Sequence, residues 1–309
     1  MITVFLIDPL ETLRLEKDTS WALMVAALRR GHTVYVAGEK DITLENGIVN
    51  FSVYELTLNK GLQTRGPRTM ISANNVNVVW IRWDPPFDDL YLANTWLLDH
   101  LPHHVSVLNH PTGIRTAQEK LWVTQFTTLT PPTTVTQSMD IYLSFLSTHQ
   151  KVVLKPLHGH GAKGIFIVPK NDPNATVIFE SMSENGPIIL QAFVKAASEG
   201  DKRILLFDGQ PLGAMLRIHL PGEYRNNLAA GGTAHPAQIT ARDQEIIHKI
   251  QPHLLRLGLR FVGIDILGDC LTEVNVTSPT CLQEINRFNN CVLEDPIWNA
   301  LESEQRRPQ

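Results

Sequence analysis

The sequence predicts an α/β protein in two parts: an N-terminal domain on a parallel sheet, then a longer α+β region rich in hairpins. Three observations lead there. Over roughly the first 115 residues, short apolar runs alternate with stretches of helical spacing, the pattern of parallel strands joined by crossover helices. Thr130-Pro131-Pro132-Thr133 then breaks the pattern, as a link between domains does. Beyond it, closely spaced strands are joined by Gly-containing turns, with Asp208-Gly209 as the plainest hairpin signal.

Residues 2–8 form a buried-type strand. They lack a basic leader and end at Asp8-Pro9, so they read as a first strand and not as a signal peptide. Asp18 is placed to cap a helix in which Trp21, Met24, Val25 and Leu28 share one face, and Gly31 ends it after Arg29-Arg30. Strands are expected at 33–37, 76–82 and 105–109, with a helix around 91–100. No G-x-G-x-x-G follows the first strand, so the dinucleotide fingerprint is missing. Ligands still favour the carboxyl ends of parallel strands. There stand Asp8 and the segment Arg82-Trp83-Asp84-Pro85-Pro86-Phe87-Asp88, readable as a fixed contact surface or as a stiff turn.

Residues 116–127 read as a helix carrying Glu119 and Lys120. A strand at 151–156 ends near Lys155. It leads through His158-Gly159-His160-Gly161-Ala162-Lys163-Gly164 to a strand at 165–168. A Gly-rich loop between strands lets backbone N–H groups approach phosphate oxygens, and Lys155 would add a point charge. The same glycines also suit a plain turn. No Gly-Lys-Ser/Thr opens a helix, so this is not a Walker A loop. His158 and His160, with no Cys or carboxylate beside them, make a poor metal site.

Strands at 188–193, 204–207 and 212–218 follow, the last with Arg217 near its end. Residues 219–236 show no periodicity and contain Arg225, a candidate anion contact, and Gly231-Gly232, candidate hinges; such a long loop reads as an active-site lid. Residues 240–257 form an amphipathic helix with Ile246, Ile247, Ile250 and Leu254 inward, and 302–309 read as a frayed polar tail.

Between these last two elements lies a hairpin, residues 265–280. Ile264, Ile266, Val274 and Val276 alternate with Asp265, Glu273 and Asn275. A two-residue Gly268-Asp269 turn puts Asp265 opposite in face to Glu273. A three-residue Gly268-Asp269-Cys270 loop pairs Leu267 with Leu271 and puts all three polar residues on one face. The three-residue loop is expected, because it alone keeps one face apolar. Two carboxylates and a carboxamide on one face suit a hard cation such as Mg²⁺, and they also suit a solvated surface.

Composition narrows the classes. The chain has 309 residues, 43% of them hydrophobic, and a formal net charge of −4, which gives no footprint for nucleic acid. No apolar stretch approaches a membrane span. Cys270, Cys281 and Cys291 show no Cys-x-x-Cys pairing, consistent with a reducing cytoplasm and no disulfide framework.

The order of these parts resembles the ATP-grasp superfamily, with a Rossmann-like N-terminal domain (1–118) and an ATP-grasp module (119–309). In that module two subdomains, about 119–193 and 194–309, sandwich ATP. Within it, the chain is similar to bacterial-type glutathione synthetases. The likeness rests on Lys17-Asp18-Thr19-Ser20, the Arg82–Asp88 segment, Glu119-Lys120-Leu121, Leu154-Lys155-Pro156-Leu157 and Gly200-Asp201-Lys202-Arg203. Arg225-x-Asn227-x-Ala229-Ala230-Gly231-Gly232 and Glu273-Val274-Asn275-Val276-Thr277-Ser278-Pro279-Thr280 complete it. These segments occur in family order over nearly the whole chain.

The resemblance implies a ligase joining γ-glutamylcysteine to glycine with ATP as co-substrate and Mg²⁺ or Mn²⁺ as cofactor. It implies that Lys120 and Lys155 contact ATP phosphates under the loop of Gly159, Gly161 and Gly164. Gln191, Phe193 and Val194 then hold the adenine edge, and Asp201 also lies on the nucleotide. Asp265, Glu273 and Asn275 carry the metal. Arg82, Arg203, Arg217, Arg225 and Ser278 hold the peptide substrate, and Arg217, Arg225 and Asn227 serve the reacting centre. It further implies a homo-oligomer such as a tetramer. The chain departs from the family at Ala162-Lys163, where a second glycine is common, and at Thr233, where arginine is common. Two rival readings are another ATP-grasp carboxylate–amine ligase and a nucleotide-binding regulator without catalysis.

Overall fold

Three sheets organise the chain, which a computed structural model describes over residues 1–59, 61–159, 163–220, 226, 228 and 231–306. The first sheet begins with β1 (Ile2–Leu6), α1 (Thr19–Arg29) and β2 (Thr33–Ala37). It continues with β3 (Ile42–Glu45), β4 (Ile48–Leu58), β5 (Leu62–Ser72) and β6 (Val78–Ile81). α2 (Asp89–Leu98), β7 (Ser106–Leu108) and α3 (Pro111–Thr116) complete this part. Asp18 caps α1 through a 2.8 Å bond from the Trp21 N–H, and Asp88 caps α2 in the same way.

β2, β1, β6 and β7 run parallel, as expected, but the sheet as a whole is mixed. β3, β4 and β5 pair antiparallel, and β4 joins β2 antiparallel. The purely parallel sheet is therefore corrected. The cause lies in residues 42–72, where Asn46 and Gly47, both at positive φ (51° and 81°), close a tight hairpin. Val49, Phe51 and Val53 alternate inward along β4, a period-two signal the sequence reading passed over.

The second sheet contains β8 (Thr133–Thr136), β9 (Lys151–Pro156), β10 (Phe166–Pro169) and β11 (Ile188–Ala192), in the order β10-β9-β11-β8. Its helices are α4 (Met139–His149) and α5 (Ala175–Ser183), whose Tyr142 and Phe179 rings stack at 4.5 Å. The third sheet contains β12 (Asp201–Phe207), β13 (Gln210–Ile218), β14 (Thr233–Pro236), β15 (Phe261–Leu267) and β16 (Cys270–Asn275). It is antiparallel throughout, in the order β14-β13-β12-β15-β16. α6 (Ala241–Arg256) buries Ile246, Ile247, Ile250 and Leu254 and starts on a Thr240–Asp243 capping box. α7 (Leu282–Asn289) and α8 (Glu294–Gln305) follow.

Two expected segments differ. Residues 116–127 are not one helix: α3 stops at Thr116, and a short 3-10 turn follows at Trp122–Gln125. Tertiary bonds take over, since the Glu119 carbonyl accepts from the Val274 N–H and the Leu129 carbonyl from the Leu271 N–H. The segment is thereby laid along β16. Residues 302–306 are no frayed tail either. Leu301 is fully buried, Glu302 pairs with Arg30, Glu304 with Arg260, and Gln305 bonds to Asn77.

The first and third sheets meet through an aromatic seam. Trp80 stacks on Phe5 at 5.6 Å and meets Phe261 edge-on at 6.0 Å, and Trp298 donates to the Leu23 carbonyl. Buried Asn109 donates to the Phe261 and Val276 carbonyls and accepts from the Phe261 N–H. This junction brings the carboxyl ends of β1 and β6, with Asp8 and Asp84, to the cavity that the β15–β16 hairpin also lines.

Candidate active site

The hairpin β15–β16 supplies the acidic wall. Its turn has two residues, since Leu267 pairs with Cys270, so the expected three-residue loop is corrected. The face assignment nevertheless holds. Ile266 pairs with Leu271 but Asp265 pairs with Glu273, so Thr272 is an extra residue in β16. The Thr272 hydroxyl donates to the Asp265 carbonyl at 3.0 Å. That bulge returns Asp265, Glu273 and Asn275 to a common face, with Asn275 opposite Gly263.

Asp265 is the hub of a buried chain of charges. Arg203 Nε and Nη2 donate to its two oxygens at 2.5 and 2.8 Å, and Arg217 Nη2 reaches Oδ2 at 2.9 Å. Arg217 in turn donates bidentately to Asp201 at 2.6 and 2.7 Å. Burial alone would raise the Asp265 carboxyl, but the two guanidiniums outweigh it and hold it well below the usual carboxylate range. Burial by itself lowers Arg217; Asp265 and Asp201 reverse that and leave it raised.

The basic wall comes from the second sheet and the junction before it. Lys155 leaves the end of β9, 8% exposed, and its ammonium donates to Gln191 on β11 at 2.9 Å. Burial pushes Lys155 below its usual value, against the pull of Glu273. Lys120 Nζ donates to the Gly159 carbonyl at 2.5 Å, and the Gln118 amide donates to the Leu157 carbonyl. The start of the Gly-rich loop is thus strapped to residues 118–120. Burial and the Glu273 charge raise the Glu119 carboxyl, while bonds from the Val276 N–H and Thr277 hydroxyl oppose the shift.

These walls enclose one cavity of about 1150 Å³. Lys120, Lys155, Gly159, Gly164, Gln191, Phe193, Val194 and Asp201 line it from the nucleotide side of the expected site. Arg203, Arg217, Asp265, Glu273, Asn275 and Ser278 line it from the other. Val153, Phe166, Ile167 and Leu267 add an apolar part beside Phe193, a suitable bed for a planar ring. Arg82 does not line the cavity. Its guanidinium is buried behind the wall, donating to Ser20 Oγ and the Pro279 carbonyl, each at 3.0 Å. Its backbone carbonyl accepts from Ser278 Oγ, so Arg82 braces that loop. Gly161, Arg225 and Asn227 lie outside the described residues, as do His160, Ala162 and most of the expected lid. Thr233 begins β14 and donates to the Ile218 carbonyl.

The donors fit a hard divalent cation. The Glu273 side chain makes no hydrogen bond or ion pair to a described residue, although its backbone lies in the ladder. Asn275 uses its NH2 group toward Gly263 O and Asp265 Oδ2, both at 3.3 Å, which leaves its amide oxygen available. Asp265 is heavily engaged, with Oδ1 carrying a single arginine bond. Thr272, Thr280, Cys281 and Glu284 also line the cavity and were missed. Two of these had a signal in the sequence: Thr280 ends the family-like segment Glu273–Thr280, and at Thr272 the two-residue turn and the apolar alternation conflict unless one residue is inserted.

The chain resembles known proteins over nearly its whole length. Residues 1–115 match the family model for the prokaryotic glutathione synthetase N-terminal domain, and residues 119–290 match the prokaryotic glutathione synthetase ATP-grasp domain. The chain is 39% identical to the glutathione synthetase of Gloeobacter violaceus, over 97% of this chain and 96% of the relative. It is 40% identical to that of Nitrosomonas europaea, over 98% of each. Among solved structures, a Chryseobacterium gregarium RiPP-associated ATP-grasp ligase superposes with a TM-score of 0.67 at 14% identity, covering 100% of this chain and 98% of the other. A D-cycloserine synthetase superposes with a TM-score of 0.64 at 16% identity, covering 97% and 100%. At those identities the structures speak for the fold alone.

Proposed function

The chain belongs to the prokaryotic glutathione synthetase family, and from that premise we infer an ATP-dependent ligase that joins γ-glutamylcysteine to glycine and releases ADP and phosphate. The observation that carries this reading is the meeting of opposite charges in one cavity: Lys155 from the second sheet feels Glu273 and Asp265 from the third.

A carboxylate resists attack by an amine, because its leaving group would be an oxide. Transfer of the γ-phosphoryl group from ATP to the cysteinyl carboxylate gives an acylphosphate and ADP. The glycine amine then attacks the acyl carbon, and phosphate leaves. Such chemistry asks for positioning and charge stabilisation more than for a protein nucleophile. Lys120 and Lys155 are assigned to the phosphates, with the loop of Gly159, Gly161 and Gly164 over them. Gln191, Phe193 and Val194 are assigned to the adenine, with Asp201 beside the nucleotide. Arg203, Arg217, Arg225, Asn227 and Ser278 are assigned to the peptide and reacting centre. Arg82 is reassigned from ligand contact to bracing Ser278. Mg²⁺ or Mn²⁺ on Glu273 and Asn275, with Asp265 Oδ1 beside them, would neutralise phosphate charge.

A division into 1–118, 119–193 and 194–309, the last two sandwiching ATP, is part of this reading. A homo-oligomer in the cytoplasm completes the reading. Among the described residues no helix is long and apolar enough to cross a membrane, and no membrane or nucleic-acid partner is proposed.

The test is phosphate release with ATP and each acid–amine pair. Release that needs both γ-glutamylcysteine and glycine, with one ADP per amide formed, is expected. Release driven best by another amine would transfer the chain to a different ligase activity.

A further inference from the structure

Residues 118–120 bond alternately to the two walls of the cavity. Gln118 and Lys120 reach the basic wall: the Gln118 amide donates to the Leu157 carbonyl, and Lys120 Nζ donates to the Gly159 carbonyl at 2.5 Å. Glu119, between them, reaches the acidic wall. Its carbonyl accepts from the Val274 N–H on β16, and its Oε1 accepts from the Val276 N–H at 3.1 Å and the Thr277 hydroxyl at 3.2 Å. Leu157 and Gly159 open the Gly-rich loop, and Val274 stands between Glu273 and Asn275. Three consecutive residues therefore join the loop assigned to the phosphates to the face assigned to the cation.

Within this join Gln118 has a separate part. It does not line the cavity, whereas Glu119 and Lys120 do. Both ends of its amide are spent on backbone. Oε1 accepts from the N–H groups of Lys120 at 3.0 Å and Leu121 at 2.6 Å, and Nε2 takes the Leu157 carbonyl. Its own backbone carbonyl accepts from the Trp122 N–H at 2.8 Å. The oxygen thus fixes the turn that carries Lys120, and the nitrogen fixes the entrance of the loop. One planar group sets the spacing between an ammonium and the loop backbone. Two such groups grip one polyphosphate best when their spacing is set before the ligand arrives, because the ordering cost is then not charged against binding.

We propose that Gln118 is a positioning residue for ATP, holding Lys120 and the entrance of the Gly-rich loop at the spacing that the nucleotide's phosphates require. It acts through those two groups and touches no substrate. This deepens the ligase reading and rests on its assignment of Lys120 and the loop to the phosphates.

Q118E separates the two halves of the amide. Its carboxylate has the same shape and still accepts from the Lys120 and Leu121 N–H groups, but it has no N–H for the Leu157 carbonyl. The KM for ATP should rise about five- to tenfold, with the KM for γ-glutamylcysteine, the KM for glycine and the melting temperature held. Q118A loses both halves and should show at least the same rise, now with a lower melting temperature. Q118N, which keeps a donor and an acceptor, should recover part of the ATP affinity that Q118A loses. Calorimetric titration with Mg²⁺ and a non-hydrolysable ATP analogue, well below the melting temperature, reads the same affinities without turnover. Equal affinity for the analogue in wild type, Q118E and Q118A overturns the inference. A parallel rise in all three KM values overturns it too, since a general loosening of the fold would not single out ATP. A wild-type protein that binds the analogue but releases no phosphate from the three substrates sinks the ligase reading and leaves the role of Gln118 to the calorimetric comparison.

Discussion

Asp265 and Glu273 stand opposite each other across the β15–β16 ladder although the turn between their strands has the length that would separate their faces. Thr272, the inserted residue, makes the difference, and its hydroxyl is tied to the Asp265 carbonyl. Deleting Thr272 should give a regular two-residue hairpin with Glu273 still opposite Asp265, because only the inserted residue is lost. Turnover should then survive and far-ultraviolet dichroism should keep its native shape. T272V, which keeps the bulge but loses the bond, should cost about 1 kcal/mol in urea unfolding and retain most activity. Loss of turnover in a deletion variant that still folds would give Thr272 itself, and not only the pairing of Asp265 with Glu273, a part in catalysis.

Glu273 has no protein partner to lose among the described residues. E273A is therefore expected to leave stability within about 0.5 kcal/mol of wild type and to remove most of kcat. Full turnover across a Mg²⁺ titration would exclude it as a cation ligand.

Asp265 behaves in the opposite way, because it neutralises two buried guanidiniums. D265N should destabilise the fold by about 3–5 kcal/mol, read by urea unfolding at neutral pH. The pH dependence has a definite sign. Folded Asp265 is held below its unfolded value, so its stabilisation is complete above the ordinary carboxylate pKa of about 4 and is lost as pH falls through the folded value. The gap between wild type and D265N should thus be flat from neutrality to about pH 5 and close only in stronger acid. A gap that closes near neutrality would mean another group governs the network.

Leu301 is fully buried in the cluster that holds Trp80 and Trp298. L301A should cost about 2–5 kcal/mol. Truncation after Ala300, which also removes the Arg260–Glu304 pair and the Gln305 bonds, should cost more. Wild-type melting of the truncated chain would return 302–309 to the status of a tail.

The lid assignment concerns coupling. Replacing 221–230 by a short Gly-Ser linker keeps β14 and should let water reach the acylphosphate, so that ATP hydrolysis exceeds amide formation. R225A should weaken use of the peptide and spare ATP affinity. Unchanged ADP-to-glutathione stoichiometry in the linker variant would remove the lid from the mechanism.

The sequence by itself determined what is local or ordered along the chain. Short apolar runs marked β9 and β12, the Asp208-Gly209 turn marked the β12–β13 hairpin, period-two alternation marked β15 and β16, Asp18 and Thr240 marked helix starts, and the family order of charged segments marked Lys120, Lys155 and Glu273. Tertiary structure decided what depends on residues distant in sequence. Residues 116–127 have helical composition, yet the carbonyls of Glu119 and Leu129 found donors on β16, and those long-range bonds outweighed a weak local preference. The polar C-terminal segment became helix because Arg30, Asn77 and Arg260 wait for it on other elements. Arg82 looked like a ligand contact by its motif, but packing of the first sheet against the third closed over its side chain.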